Sequence, residues 1–219
     1  MRGSVSLALL GALLSSCAGT PFRQGRQEVE WFQSGIYGGV MFGRSDLDAS
    51  GRDMDRELAD RGYVTTTDFD DEDAAVNVYL GYRFEAPFAI ELGYANLGRS
   101  ESSIAAMPAD VDQFLADVAD VHPVLGKGIQ IQGRWYAWSR ERLELSLSAG
   151  LWAWQADVLA TAGTGERDRF SPDSIDPTIG IALTIGVADR VDLRAAWDRY
   201  YLDGDAADAL WLGIQIGLL

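Results

Sequence analysis

Six charged residues stand out because each sits in a segment that alternates between large apolar and small residues. They are Arg83, Glu91, Arg134, Glu144, Asp192 and Arg194, and in every segment the charge falls on the small-residue side. Ionisable groups that share one face of a sheet can pair in an enclosed interior. There, deleting one partner of a pair costs ~3–5 kcal/mol. The plainer reading is that they only keep a wet interior soluble. His122, the sole histidine, lies beside Pro123. A catalytic histidine needs a serine or an acid within reach, and Ser102 and Ser103 lie well upstream, so His122 is expected to pack a loop and no catalytic residue is assigned. The run Asp68-Phe69-Asp70-Asp71-Glu72-Asp73 could offer carboxylates to Ca²⁺. It lacks the spacing and the glycine of an EF-hand, so a solvated acidic loop end is expected. No metal site and no cofactor are expected.

Composition narrows the field. The 33 acidic residues outnumber 18 Lys and Arg, for a formal net charge of -15. That balance argues against nucleic acid as a partner, because phosphate contacts need clustered basic side chains. Lys127 is the only lysine. A single cysteine, Cys17, excludes an intramolecular disulfide and a cysteine-based zinc site. The 24 glycines fall largely within strand patterns, where glycine normally weakens pairing, and so need a reason such as close approach inside a small barrel.

The N-terminus reads as an export signal over residues 1–17. Arg2 supplies positive charge, and Val5 to Leu14 is an apolar run too short to span a bilayer. Leu14-Ser15-Ser16-Cys17 matches a lipobox, which would make Cys17 a lipidation site. Ordinary cleavage after Ala18 fits the same small residues. A polar linker covers residues 18–33, in which Trp31 and Phe32 would suit either an interfacial anchor or packing at a barrel mouth.

From residue 34 onward, two-residue alternation recurs. Ile36–Gly43 opens the series. In Ala75–Gly98, Val76, Val78, Leu80, Tyr82 and Phe84 oppose Asn77, Tyr79, Gly81 and Arg83. After a Glu85-Ala86-Pro87 break, Phe88, Ile90, Leu92 and Tyr94 oppose Ala89, Glu91, Gly93 and Ala95. Gly128–Trp138, Leu143–Trp152, Pro177–Val187, Val191–Asp198 and Leu210–Leu218 repeat the pattern. Their connections run long, short, long, short, long, short, long. The long ones are Arg44–Asp73, Arg99–Lys127, Asp157–Asp173 and Leu202–Asp208, and Ala109–Ala119 in the second has helical spacing.

These features predict an all-β fold: an eight-stranded antiparallel up-and-down transmembrane β-barrel, with four long outer loops and short periplasmic turns. Strands of about ten residues suffice to cross a bilayer when tilted. An unpaired backbone group in hydrocarbon costs several kcal/mol, so a membrane sheet must close on itself. The large apolar set then faces lipid, and the glycine, amide and charged set fills the lumen. An even strand number puts both termini on the periplasmic side. A soluble, lipocalin-like barrel would enclose the large set instead and leave a poor water-facing surface of Gly and Ala. Tyr82, Tyr94, Trp135 and Trp197 fall near strand ends, as interfacial girdle residues would, though ordinary strand aromatics would look the same.

Gly81-Tyr82-Arg83-Phe84, the short turn, and Ile90-Glu91-Leu92-Gly93-Tyr94-Ala95-Asn96-Leu97-Gly98 resemble the second and third strands of OmpA-like transmembrane barrels. Leu193-Arg194-Ala195-Ala196-Trp197-Asp198-Arg199-Tyr200 resembles the penultimate strand. The likeness covers residues 34–219. It implies a monomeric barrel in a Gram-negative outer membrane, in contact with outer-membrane lipids, lipopolysaccharide and the barrel assembly machinery. The implied roles are structural, with pore and adhesin or partner-binding roles as alternatives. It also implies an internal charge network, for which Glu91, Arg134 and Arg194 occupy matching positions, so that Glu91 is expected to pair with Arg134 or Arg194 and plug the lumen. The family's further inner acid falls near Thr184 here. The chain ends Gly217-Leu218-Leu219 rather than on an aromatic residue, no peptidoglycan-binding domain follows, and a lipobox is atypical. Divalent ions linking the acidic run to lipopolysaccharide phosphates are a secondary expectation.

Overall fold

The computed structural model describes residues 32, 34–70, 72–85, 87–99, 101–106, 108, 110–156, 158–161, 167–170, 172–202 and 205–218. Cys17, Trp31, Asp71, Leu219 and the expected export signal lie outside them, as do the side chains of Asp68, Phe69, Asp70, Ser102 and Ser103. In chain order the elements are β1 (Gly35–Leu47), α1 (Gly51–Asp60), β2 (Thr66–Asp70), β3 (Glu72–Arg83), β4 (Phe88–Asn96), β5 (Glu101–Ala105), α2 (Val111–Val121), β6 (Lys127–Arg140), β7 (Leu143–Gln155), β8 (Val158–Thr161), β9 (Arg167–Phe170), β10 (Asp173–Ala188), β11 (Val191–Leu202) and β12 (Asp205–Gly217).

Eight of these strands close in the order β1-β12-β11-β10-β7-β6-β4-β3, every neighbouring pair antiparallel. Closure is made by β1 against β12, from Tyr37↔Gly217 to Leu47↔Ala207. No edge strand remains in the barrel, which satisfies the backbone without help from water. The outer face follows the alternation: Val78, Leu80, Ile90, Leu92, Ile131, Leu151, Leu212 and Ile214 are all exposed. The opposite parity is buried, including Asn77, Gln130, Gln132, Ser146 and Thr178. An exposed apolar belt around a polar interior is the arrangement that hydrocarbon, rather than water, selects.

Two of the strand glycines have their reason in the tyrosines. A Cβ on Gly81 would collide with the Tyr37 ring, and one on Gly39 with the Tyr79 ring. The lumen is wide enough for these rings only because the facing positions lack side chains.

At the belt's two margins the aromatics differ in fit. Tyr82, Tyr94 and Trp135 are exposed, as girdle residues must be, whereas Trp197 is half-buried. A register shift between Tyr136 and Trp138 turns Trp138 outward at the short-turn margin, where counting by two would have put it inside.

The connections correct one expectation. Three loops are long, 48–71, 97–126 and 156–172, but the fourth is not. β11 and β12 keep pairing to Leu202↔Asp205, so only residues 203–204 join them. The stretch Leu202–Asp208 looked like a loop because Asp205, Ala206, Ala207 and Asp208 carry no strand pattern. Buried Leu202, Ala206 and Ala207 pack at the barrel mouth and hold the hairpin together.

The long loops are not bare. β2 pairs with β5 and β8 with β9, outside the barrel sheet. Helix α2 lies two residues beyond the expected Ala109–Ala119, its N-terminus capped by Asp110 accepting from the Gln113 N–H at 3.1 Å. Helix α1 was not expected from the acidic stretch. Its only buried side chains are Met54 and Leu58, one turn apart. They pack with Ile104, Phe114, Leu115 and Val118 into a second apolar core, separate from the barrel interior. Tyr63 meets Phe114 edge-on at 5.0 Å and donates to Asp117 at 2.6 Å. Arg61 bridges Asp117 and Asp120, and Asp55 accepts from Thr65 and Thr67. The loops thus fold into a cap at their end of the barrel.

Candidate functional site in the barrel lumen

Strand alternation delivers all six flagged charges to the lumen, and tilt and register decide which of them meet. Glu91 on β4 is the centre. Arg134, from the adjacent β6, donates through Nε and Nη2 to its two carboxylate oxygens at 3.0 and 2.9 Å. Arg194, from β11 across the barrel, donates through both Nη atoms to Oε1 at 2.9 Å. Both arginines therefore engage Glu91, where the sequence expected one or the other. Tyr37 adds its hydroxyl to Oε1 at 2.7 Å. All four side chains are buried. One carboxylate thus accepts five hydrogen bonds, four of them from guanidinium groups and one pair forked, which is the strong form of this interaction.

A second pair lies nearer the short turns. Arg83 and Glu144 meet in a two-bond fork at 2.7 and 2.6 Å. The Arg83 guanidinium also stacks 3.8 Å from the Tyr136 ring centroid, with Phe32 5.7 Å away on the N-terminal side. Tyr136 donates to the Tyr37 hydroxyl at 3.4 Å. Two tyrosines therefore connect the two charge clusters.

Asp192 joins neither fork. Its Oδ2 accepts from Gln215 Nε2 at 3.1 Å, and Tyr79 donates to Gln215 Oε1 at 3.3 Å. Thr184, where the family's further acid was expected, pairs in register with Arg194 on one side and Glu144 on the other. The second inner acid of this chain thus stands one strand away, on β7, and is held by Arg83.

The six charges were only part of the constellation. Tyr37, Tyr79 and Tyr136 position the charged groups, Ser146 accepts from Arg134 at 3.0 Å, and buried Asp198 adds a seventh charge. All have inward parity, which was the signal available. Toward the loop end the lumen changes character: Trp152 stacks on Trp154 at 6.0 Å and meets Tyr200 edge-on at 4.7 Å. Trp211, Leu47, Leu97 and Leu202 are buried in the same cluster. Tyr200 spends its hydroxyl on Gln130 at 3.1 Å. The lumen is therefore filled at two levels, by ion pairs at mid-height and by an aromatic layer beneath the cap.

His122 lies at the foot of the cap, buried, with Nδ1 2.8 Å from the Pro123 carbonyl oxygen. Burial pushes its pKa below the usual range for histidine. It packs a loop. Among the described residues no cluster of three or more His, Cys, Asp or Glu could hold a metal ion.

Comparison with known proteins agrees with this architecture. The family model described as the OmpA-like transmembrane domain matches residues 33–203. Neisserial surface protein A is similar in fold, with a TM-score of 0.53 at 16% identity over 84% of this chain and 98% of that one. The N-terminal β-barrel domain of Pseudomonas aeruginosa OprF aligns with a TM-score of 0.50 at 13% identity, over 84% of this chain and 98% of that one. No curated protein matches the sequence. A matching family model over most of the chain, on a closed sheet whose greasy face looks outward, leaves one conclusion: the protein belongs to the OmpA-like transmembrane domain family and is an eight-stranded outer-membrane β-barrel.

Proposed function

We propose that the protein is a closed, non-catalytic structural barrel that contributes to envelope integrity and presents an acidic cap at the cell surface. The observation that carries this reading is the doubly filled lumen: Glu91 knotted to Arg134 and Arg194, with the Trp152–Trp154–Tyr200 layer above it. An open pore would need a continuous wet path, and side chains filling the lumen at two levels argue against one. In this reading both termini and the short turns face the periplasm, residues 1–17 direct export, and Cys17 carries a lipid where the lipobox is used. The chain acts as a monomer among outer-membrane lipids and lipopolysaccharide, placed there by the barrel assembly machinery.

Planar-bilayer recordings and liposome swelling test it. The unmodified protein is expected to give no steady openings and no solute uptake. Sustained conductance, raised further by Glu91→Ala, would establish the pore reading with Glu91 as its gate. A second reading, a surface that binds a partner, is favoured by one observation: the loops spend an apolar core of their own on holding a defined shape. Cell-binding assays on loop-deleted barrels separate it from the purely structural role.

A further inference from the structure

The lipid-facing aromatics near the short turns are not spread around the barrel. Tyr82, Phe84, Phe88, Trp135 and Trp138 are all exposed, and all fall on β3, β4, β6 and the turn joining the first two. At the same margin β10, β11 and β12 present Ile185, Val187, Leu193 and Ile216, with Leu218 just beyond, every one aliphatic. A girdle that only fixed depth would ring the barrel. An arc gives one side of it a different neighbour.

The arc ends in a step. β6 pairs with β4 only as far as Phe88↔Trp135, but with β7 as far as Arg140↔Leu143. The end of β6 therefore stands beyond β4, where the Tyr136 N–H donates to the Pro87 carbonyl at 2.9 Å. The shift after Tyr136 aims Trp138 outward on this projection. Arg140, two residues on, shares that face, since Ser139 between them pairs with the lumen residue Glu144. Arg140 is exposed and makes no ion pair with any described residue, although Glu85 and Glu141 stand at the same rim. Its planar fork of donors matches a phosphate. Deeper in the belt, Gly133 and Ala149 are register partners on the outer face, and a Cβ on Gly133 would meet nothing closer than the Ala149 carbonyl oxygen at 3.9 Å. The pair leaves a shallow trough between the side chains of Ile131 and Trp135.

We propose that this arc binds one anionic phospholipid of the leaflet that meets the short turns. The phosphate lies against Arg140, the glycerol over the Trp138 and Trp135 rings, and an acyl chain along the Gly133–Ala149 trough. Indole favours the headgroup level, and an arginine at the membrane surface favours anionic over zwitterionic lipid. Which leaflet this is rests on the orientation proposed above. The choice of lipid does not, so bilayers of one composition on both sides test it whichever way the barrel faces.

Tryptophan quenching by chain-brominated lipids reads the preference. The full chain carries Trp31→Phe and Trp197→Phe, so that Trp135 and Trp138 give the lipid-accessible signal while Trp152, Trp154 and Trp211 stay buried. It is placed in phosphatidylcholine bilayers containing brominated phosphatidylglycerol or brominated phosphatidylcholine. The anionic lipid is expected to be preferred roughly fivefold, the effect of one arginine at the headgroup level. Arg140→Gln is expected to abolish the preference. Arg190→Gln, also exposed but in the turn before β11, is expected to keep it. A difference in gel mobility between unboiled and boiled samples shows that each variant is folded. Equal quenching by the two lipids would overturn the proposal. So would equal loss of preference in Arg140→Gln and Arg190→Gln, which would reduce the effect to the charge of the whole rim. Weak quenching by both lipids, with chains that cross-link in pairs, would overturn it in favour of a second copy on the arc.

Discussion

The barrel and its cap bury their side chains by opposite rules. Inside the barrel, Glu91, Arg134 and Arg194 are buried while Leu80, Leu92 and Ile131 are exposed. In the cap, Met54, Leu58, Phe114 and Val118 are buried while Asp53, Arg56 and Glu57 are exposed. One chain thus carries two interiors, and the difference between them is the solvent each faces. Hydrocarbon gives no advantage to enclosing leucine, so the middle of the barrel is held by geometry and charge, with the aromatic layer confined to its loop end. Water does, so the cap has an ordinary apolar core of a few side chains. The contrast implies that the two regions respond to different perturbations and need not fail together.

The largest effect is expected in the lumen. Glu91→Ala leaves two buried guanidinium groups without their shared acceptor and is expected to cost ~3–5 kcal/mol, read from urea titration of the lipid-inserted barrel. A loss below that of an exposed substitution would mean the ion pairs do not hold the barrel. In the cap, Phe114→Ala removes a side chain that is 1 % exposed. It is expected to cost about 3–5 kcal/mol, but the loss is confined to the loops. Proteolysis in loops 48–71 and 97–126 should quicken while the folded barrel keeps its difference in gel mobility between unboiled and boiled samples, and quickened proteolysis together with loss of that difference would show that barrel and cap are a single cooperative unit. On the outer face, Leu92→Arg at the centre of β4 should destabilise insertion by about 2–4 kcal/mol. A neutral result would put water, not lipid, against that face.

The smallest expected effect is on pH. Burial holds His122 below the usual histidine range, so the folded cap binds fewer protons than the unfolded loop. Its contribution is complete above the ordinary histidine value of ~6.5 and is lost as pH falls through the lower, folded value. Asp117, stabilised as the anion chiefly by the Tyr63 hydroxyl, is lowered as well. For Asp55 burial opposes ionisation, yet the bonds from Thr65 and Thr67 outweigh it. All three shifts weaken the cap toward acid. Amide exchange in α1 and α2 measured across that range checks the sign: faster exchange at acid pH, after correction for intrinsic rates, is the expected outcome.

Much of this was legible from parity. Two-residue alternation sorted Glu91 from Leu92 and Arg194 from Leu193 without coordinates, because a lipid-facing strand cannot hide a charge on its outer side. The same rule placed Tyr37, Tyr79 and Tyr136 inward, though nothing in it marked them as partners of the charges. The acidic stretch concealed α1 because Met54 and Leu58 are its only large apolar residues, and two of these one turn apart are too few to announce a helix. The shortness of the β11–β12 connection was hidden for a different reason: Asp205–Asp208 is extended by pairing with β11, not by its own residues.

The sequence by itself determined the number of barrel strands, the direction each face looks, and hence the solvent the protein must live in. These depend on spacing along the chain, and spacing is fixed covalently. Only the tertiary structure decided that Glu91 takes both arginines, that Glu144 answers Arg83 beside Thr184, and that the loops fold around an apolar core of their own. Those outcomes depend on strand tilt and register, which bring Arg194 to Glu91 from 103 positions away and Tyr79 to Gln215 from 136, and no local pattern encodes a distance across a barrel.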